Sequence, residues 1–227
     1  MTAVPALVTL HVWRVTPAKV PAAAMRMATD RGRARRTPGV VFAKLLGTAN
    51  GFSALDAEPT RWAALTCWSS AAAAERYPVA DRWQSRASES WRVDLRPLSS
   101  RGMWSRRSPF GDPVPRRVDG PVASITRARL VPRKALGFFR AVPPVSAELD
   151  RSAGVLASLG IAEMPVGLQG TFSLWRDSTA LRSFAQSRQH ADVVRRTDGE
   201  GWYAEELFAR FEVVGSRGTL DGRDPLG

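Results

Sequence analysis

In Leu168-Gln169-Gly170-Thr171-Phe172-Ser173-Leu174-Trp175-Arg176 the side chains alternate between two sides of an extended chain. Gln169, Thr171, Ser173 and Trp175 fall on one side; Gly170, Phe172 and Leu174 fall on the other. The stretch reads as a strand, and its closing tryptophan has a counterpart earlier in the chain. Trp68, at the end of a strand expected over 61–69, precedes Trp175 by 107 positions. Further matches keep the same order. Pro17 and Lys19 correspond to Pro132 and Lys134 at an offset of 115, and Gly39-Val40 corresponds to Gly154-Val155 at the same 115. Ser100-Arg101-Gly102 corresponds to Ser216-Arg217-Gly218 at 116. The smaller tryptophan offset follows from a longer loop through 50–60 in the first series.

Working outward, apolar runs mark strands over 7–15, 40–48, 61–69 and 91–100, with helices over 18–35 and 71–86. A second series has strands over 122–131, 154–163, 168–176 and 207–214, with helices over 133–149 and 178–196. Each series is β-α-β-β-α-β, the ferredoxin-like unit. The expected fold is α+β: two tandem ferredoxin-like halves, 1–102 and 122–215, joined by a proline- and glycine-rich connector, 103–121. The tail, 216–227, is expected to be poorly ordered. Helices on one face leave the other sheet face of each half uncovered, so the halves are expected to pack sheet against sheet in a barrel-like core. The helix-covered face of one half is then free to house a ligand.

The composition narrows the chemistry. With 227 residues, 44% of them hydrophobic and 24% charged, the chain reads as an ordinary globular protein. One cysteine, Cys67, excludes an internal disulfide and any cysteine-clustered metal site. Two histidines, His11 and His190, exclude a three-histidine zinc centre. The net charge of +12 comes from 33 basic residues, of which only Lys19, Lys44 and Lys134 are lysines. The arginines are spread along the chain without interleaved aromatics, and no zinc-finger, ribonucleoprotein or helix-turn-helix pattern accompanies them, so no nucleic-acid partner is expected. Residues 1–15 lack a basic segment followed by an apolar one, and no long apolar window occurs. A cytoplasmic location is the expectation, with peripheral membrane contact left open. Gly199-Glu200-Gly201-Trp202-Tyr203-Ala204 spells a dinucleotide fingerprint, but a helix precedes it where a strand is required, so it reads as a turn.

The residues alone leave several roles open. His190, late in the last helix, suits a surface, core or ligand position, and on an unbroken helix it lies roughly 180° from Leu181. His11 alternates with Val12 on the first strand and reads as structural. The row Gln169, Thr171, Ser173 fits a cavity with hydrogen-bond donors or a strand facing solvent. Arg127 and Arg129 share a face with Ile125; an inward arginine needs a partner, and an anionic ligand group would serve.

A longer series of motifs adds a resemblance. In order they are Phe42-Ala43-Lys44-Leu45, Glu89-Ser90-Trp91, Ser100-Arg101-Gly102 with Trp104, Pro109-Phe110 and Thr126-Arg127-Ala128. Gly160-Ile161-Ala162-Glu163-Met164-Pro165, Thr171-Phe172-Ser173-Leu174-Trp175 and the most specific block, Gly201-Trp202-Tyr203-Ala204-Glu205-Glu206-Leu207-Phe208-Ala209-Arg210-Phe211, follow. Over 7–214 the chain resembles the spheroidene monooxygenase family, the carotenoid 2-ketolases of purple bacteria. Ser158 and Ala162 depart from the lysine and glycine expected there. The family is similar in turn to the dimeric α+β barrel superfamily, whose haem members include chlorite dismutase and aldoxime dehydratase. The resemblance implies a haem b enzyme that takes O2 and electrons from a ferredoxin-type donor to oxygenate a hydrophobic small molecule, a carotenoid end. It also implies haem in the second half on a histidine; a homo-oligomer is left open.

By that position His190 is the implied axial ligand of the haem iron. Glu205 or Glu206, the latter by preference, is expected to support it. Tyr203 lies near the same region but favours ferric, catalase-like chemistry. Arg127, Gln169, Thr171 and Ser173 are expected to face bound oxygen, substrate or a haem propionate, with Arg101 the next candidate. Two other readings stay open: a haem dehydratase or peroxidase-like enzyme that needs no reductase, and a non-enzymatic haem or small-ligand carrier.

Overall fold

The computed structural model describes residues 2–51, 56–141, 143–163 and 168–227; the side chains of 143, 144, 146, 150, 188–191, 194 and 198 are outside that description. Met164-Pro165, part of the motif series above, lies outside the described residues. Eight strands form, β1 (Leu7–Arg14), β2 (Val40–Ala49), β3 (Ala57–Trp68), β4 (Glu89–Gly102), β5 (Val122–Leu130), β6 (Val155–Ala162), β7 (Leu168–Trp175) and β8 (Tyr203–Gly218). Between them lie α1 (Val20–Arg36), α2 (Ala71–Ala74), α3 (Pro78–Gln84), α4 (Ala135–Ala141), α5 (Pro143–Arg151), α6 (Ser178–Ala185) and α7 (Arg188–Glu200).

All strand neighbours are antiparallel and close one barrel in the order β1-β3-β2-β6-β7-β5-β8-β4. The expected barrel core is present, but the two halves do not pack as separate sheets. The two series join edge to edge, along a long seam from Trp91↔Gly218 to Gly102↔Leu207 and a short one from Gly47↔Ala162 to Ala49↔Gly160. Closure removes free strand edges and leaves a single enclosed interior. Alternation fills that interior with Leu10, Val12, Leu65, Val93, Ile125, Phe172, Leu207 and Phe211. The segment between β4 and β5 contributes as well. Trp104 packs edge-on against Phe42, and Phe110 meets Phe211 with ring centroids 4.8 Å apart.

Two helices expected to be continuous are divided. Pro78 has no N–H to carry a helix through and instead opens α3. The second division needs no proline: Gln186 closes α6, its N–H bonded to the Arg182 carbonyl, and α7 starts afresh at Arg188. The tail is a further correction. β8 continues to Gly218 because it pairs with the start of β4, Leu220 is buried, and the Asp221 carboxylate pairs with Arg14 and with the buried guanidinium of Arg61.

Positions matched by offset do matched work. Trp68 Nε1 donates to Thr9 Oγ1 and Trp175 Nε1 to Ser173 Oγ, each at 2.9 Å. Lys19 and Lys134 donate to the carbonyls of Arg86 and Glu200. Gly102 and Gly218 have φ of +85° and +87°, and a Cβ there would lie 2.2 Å from the Glu206 carbonyl oxygen and 2.1 Å from that of Ser90. Both the conformation and the close backbone approach require glycine. Gly102→Ala and Gly218→Ala are each expected to cost about 2 kcal/mol or more, read as a lower urea midpoint.

Candidate active site

With the barrel interior filled by side chains, the outward-facing residues of β4, β5, β7 and β8 meet α4–α7 across a cavity of about 440 Å³. That volume falls in the range of small-molecule sites. The sheet supplies polar groups: Arg101, Ser124, Thr126, Thr171, Ser173, Glu206 and Arg210. The helices supply an apolar wall that includes Phe138, Leu149, Leu181, Phe184 and Val193. Ser173 Oγ accepts from Trp175 Nε1, which leaves its own O–H free to donate into the cavity. The Arg101 guanidinium lies over the Phe208 ring, 4.7 Å from its centroid. Burial pushes the Tyr203 phenol up to about 12, against the opposing effect of a hydrogen bond with Thr197, so it stays neutral.

The structure brings Arg101, Thr171, Ser173 and Glu206 together on this cavity. Along β8, Leu207 and Ala209 belong to the interior, so Glu205 turns into the barrel and Glu206 out to the helices. Gln169 and Arg127 do not join them. Gln169 lines a different cavity. Arg127 shares the interior face of β5 with Ala123 and Ile125, opposite Thr126, and its anionic partners are protein carboxylates. Its expected place facing a ligand is therefore corrected. His190 lies on α7, but its side chain is outside the described residues. Val193 and Thr197, three and seven positions further along α7, line the cavity. Because the helix divides at Gln186, the angle counted from Leu181 no longer applies.

His11 and Cys67 lie elsewhere. His11 stacks on Trp13, with centroids 5.5 Å apart, and burial, then the charges of Arg92 and Arg217, lower its pKa to about 3. Cys67 is inside the barrel, where burial pushes its thiol up.

A buried charged cluster closes one end of the barrel interior. Arg127 Nη2 donates to Glu163 at 2.9 Å, and its other nitrogen, Nη1, pairs with Glu205. Lys44 pairs with Glu163 and donates to Ser105 Oγ at 2.6 Å. Trp104 Nε1 donates to Glu163 at 2.7 Å. The backbone N–H groups of Ser105 and Arg106, at φ +54° and +59°, donate to the two oxygens of Glu205 at 3.0 and 2.7 Å. Two successive left-handed residues converge their N–H groups in this way, forming a nest for an anion. Sequence reasoning missed the cluster, although one signal was present: Lys44 alternates with the inward Phe42 and Leu46.

Burial works to raise both carboxyls, but for Glu163 the Lys44, Trp104 and Arg127 contacts, and for Glu205 the backbone N–H groups and Arg127, outweigh it and hold each low. A carboxyl lowered in the folded chain contributes stability that is complete above its unfolded value and lost as pH falls through the folded one. The urea midpoint is therefore expected to decline once pH drops below about 6.5, where the unfolded but not the buried His11 takes up a proton, and to fall more steeply below the ordinary 4.5 of the two carboxyls. Glu163→Gln should shallow that fall.

No family model matches the chain. It is 34% identical over 212 residues to a spheroidene monooxygenase of Rhodobacter capsulatus, covering 88% of this chain and 87% of that protein. It is 33% identical over 192 residues to one of Rubrivivax gelatinosus, covering 82% and 73%. A third, from Cereibacter sphaeroides, is 32% identical over 198 residues, covering 84% of this chain and 61% of that protein. Among solved structures, an aldoxime dehydratase shares the fold with a TM-score of 0.60 at 10% identity, covering 91% of this chain and 80% of that one.

Proposed function

The chain belongs to the spheroidene monooxygenase family, and from that premise we propose that it is a haem-dependent monooxygenase acting on an apolar carotenoid-type molecule. The net reaction takes R–H, O2, two electrons and two protons to R–OH and water. The twofold β-α-β-β-α-β order supports reading 7–102 and 122–218 as ferredoxin-like halves of a dimeric α+β barrel.

The observation that carries the reading is the helix-covered cavity, in which an apolar wall faces a polar sheet and α7, the helix of His190, takes part in the lining. The donor set fits haem b. His190 is the candidate iron ligand, and Glu206 an acceptor for the far imidazole N–H, directly or through water. Arg101, whose guanidinium lies over Phe208 on the cavity, is the candidate partner for a propionate carboxylate. Haem bound there supplies dioxygen activation and one-electron steps. The remaining work falls to the chain. Phe138, Leu149, Leu181 and Phe184 hold an apolar chain and exclude water. The Ser173 hydroxyl, oriented by Trp175, and the Thr171 hydroxyl donate hydrogen bonds where oxygen is handled. A chain of net charge +12 suits an acidic ferredoxin-type electron donor.

The test is turnover of spheroidene by purified, haem-reconstituted protein under 18O2. Label in the hydroxylated product, dependent on reduced ferredoxin, is expected. Turnover without reductant would instead favour dehydratase or peroxidase-type chemistry. No turnover with fast haem release would favour a carrier.

A further inference from the structure

A cavity of about 340 Å³ lies over the short β2–β6 seam, beneath α1, and shares no lining residue with the first. A smaller one, of about 130 Å³, adjoins it, since Arg31 and Glu163 line both. One face of α1 runs along the pair. Ala24, Met27 and Arg31 border the larger cavity, and Arg31 and Arg35 the smaller. Their spacings of three and four keep these residues in one row on the helix. That row turns from apolar to cationic over the roughly 12 Å between Met27 and Arg35.

The strands beneath have the same polarity. Gly47 leaves the floor of the larger cavity open, because a Cβ there would meet nothing nearer than the Ala162 carbonyl oxygen at 3.9 Å. Ile161 and the Trp62 ring line the same space. Glu58 stands on β3 opposite Thr48, and Arg61 is engaged there by Thr48, Asn50 and Asp221. That end lies about 13 Å along β2 from Lys44, which borders the smaller cavity. The two α1 guanidiniums have no carboxylate of their own among the described residues. Arg31 donates to the Glu163 backbone carbonyl at 3.2 Å, and Arg35 is paired with no acid. The one carboxylate of α1, Asp30, is held by Arg33 at 2.8 Å. Glu163, on the shared wall, is held by Lys44 and Arg127. Burial lowers the Lys44 pKa against the pull of Glu163, and the charges of Arg35 and Arg127 lower it further, so positive charge is in excess at this end.

Uncompensated cations at one end of an apolar cavity fit an amphiphile. We propose that the paired cavities bind a single-chain fatty carboxylate, its head at the Arg31 and Arg35 guanidiniums and its chain over Gly47, against Met27, Ile161 and the Trp62 ring. A guanidinium fork matches a carboxylate in shape and charge. Glu163 on the same wall makes a second negative charge on the head costly, which selects a monoanion. The site is independent of the haem reading.

The test titrates decanoate at neutral pH into 15N-labelled protein, with decanol as the uncharged control. The Trp62 indole N–H resonance, assigned by its loss in Trp62→Phe, is expected to shift and saturate, with decanoate binding about tenfold or more tightly than decanol. Arg31→Gln combined with Arg35→Gln should abolish that preference and leave the decanol affinity unchanged. Gly47→Leu, which fills the floor, should weaken both ligands about tenfold or more. Thr126→Phe, in the first cavity, should alter neither affinity. An indole resonance that decanoate does not move up to its solubility limit would overturn the proposal. So would equal affinity for the two ligands, a preference that survives the double arginine variant, or binding that disappears in Thr126→Phe.

Discussion

Arg127→Met is expected to cost about 3 kcal/mol or more, because it removes one partner from a buried ionic cluster and leaves the others in place. Arg127 is 2% exposed and bridges Glu163 to Glu205 inside the closed barrel. Methionine fills much of its volume, so the loss reports the stranded charge more than a void. Glu163 keeps Lys44 and Trp104, and Glu205 keeps the two N–H groups of the nest, which places the effect at the lower end of the range for broken buried pairs. Adding Glu205→Gln should recover part of the stability, since one charge that lost its partner is then gone. Urea denaturation of the wild type and both variants measures this. A loss below about 1 kcal/mol would mean that the cluster is hydrated and that the barrel end is open.

Thr126→Phe is expected to lower turnover by about a hundredfold or more while leaving the fold intact. Thr126 faces the helix-covered cavity from β5, directly opposite Thr171 on β7 and Phe208 on β8. A phenyl ring there projects into space that the site needs and away from the packed barrel interior. The measurement is kcat and KM beside a urea midpoint, with far-ultraviolet circular dichroism as the control for folding. Unchanged kcat in a folded variant would move the chemistry out of this cavity.

Much of the architecture was legible because the two series repeat the residues that have the least freedom. Gly102 and Gly218 recur because backbone approaches them from a neighbouring strand, and Trp68 and Trp175 recur because each indole finds a hydroxyl on the helix-facing side. Barrel closure left no such mark. The β4–β8 seam joins strands more than a hundred residues apart, and no local pattern records which edges meet. The same pairing explains why the tail is ordered, a point that composition alone obscured.

Within the site, strand alternation separated Glu205 from Glu206 and placed Thr171 with Ser173. It also grouped Gln169 with them, and there it fell short. Two residues along a strand is about 6.6 Å, enough to carry Gln169 past the end of one cavity and onto the wall of another. Arg127 was read as inward and in need of an anion. The anions proved to be Glu163, just past the end of β6, and Glu205, on β8, brought to it by a strand order that the sequence did not reveal.

The central claim is that His190 anchors haem in the helix-covered cavity, and the direct measurement is the absorption spectrum and haem affinity of His190→Ala after reconstitution. The account predicts loss of the Soret band or conversion to weakly bound haem, with the urea midpoint of the apoprotein unchanged. An unaltered ferric spectrum at unaltered haem affinity would contradict it and remove His190 from the site.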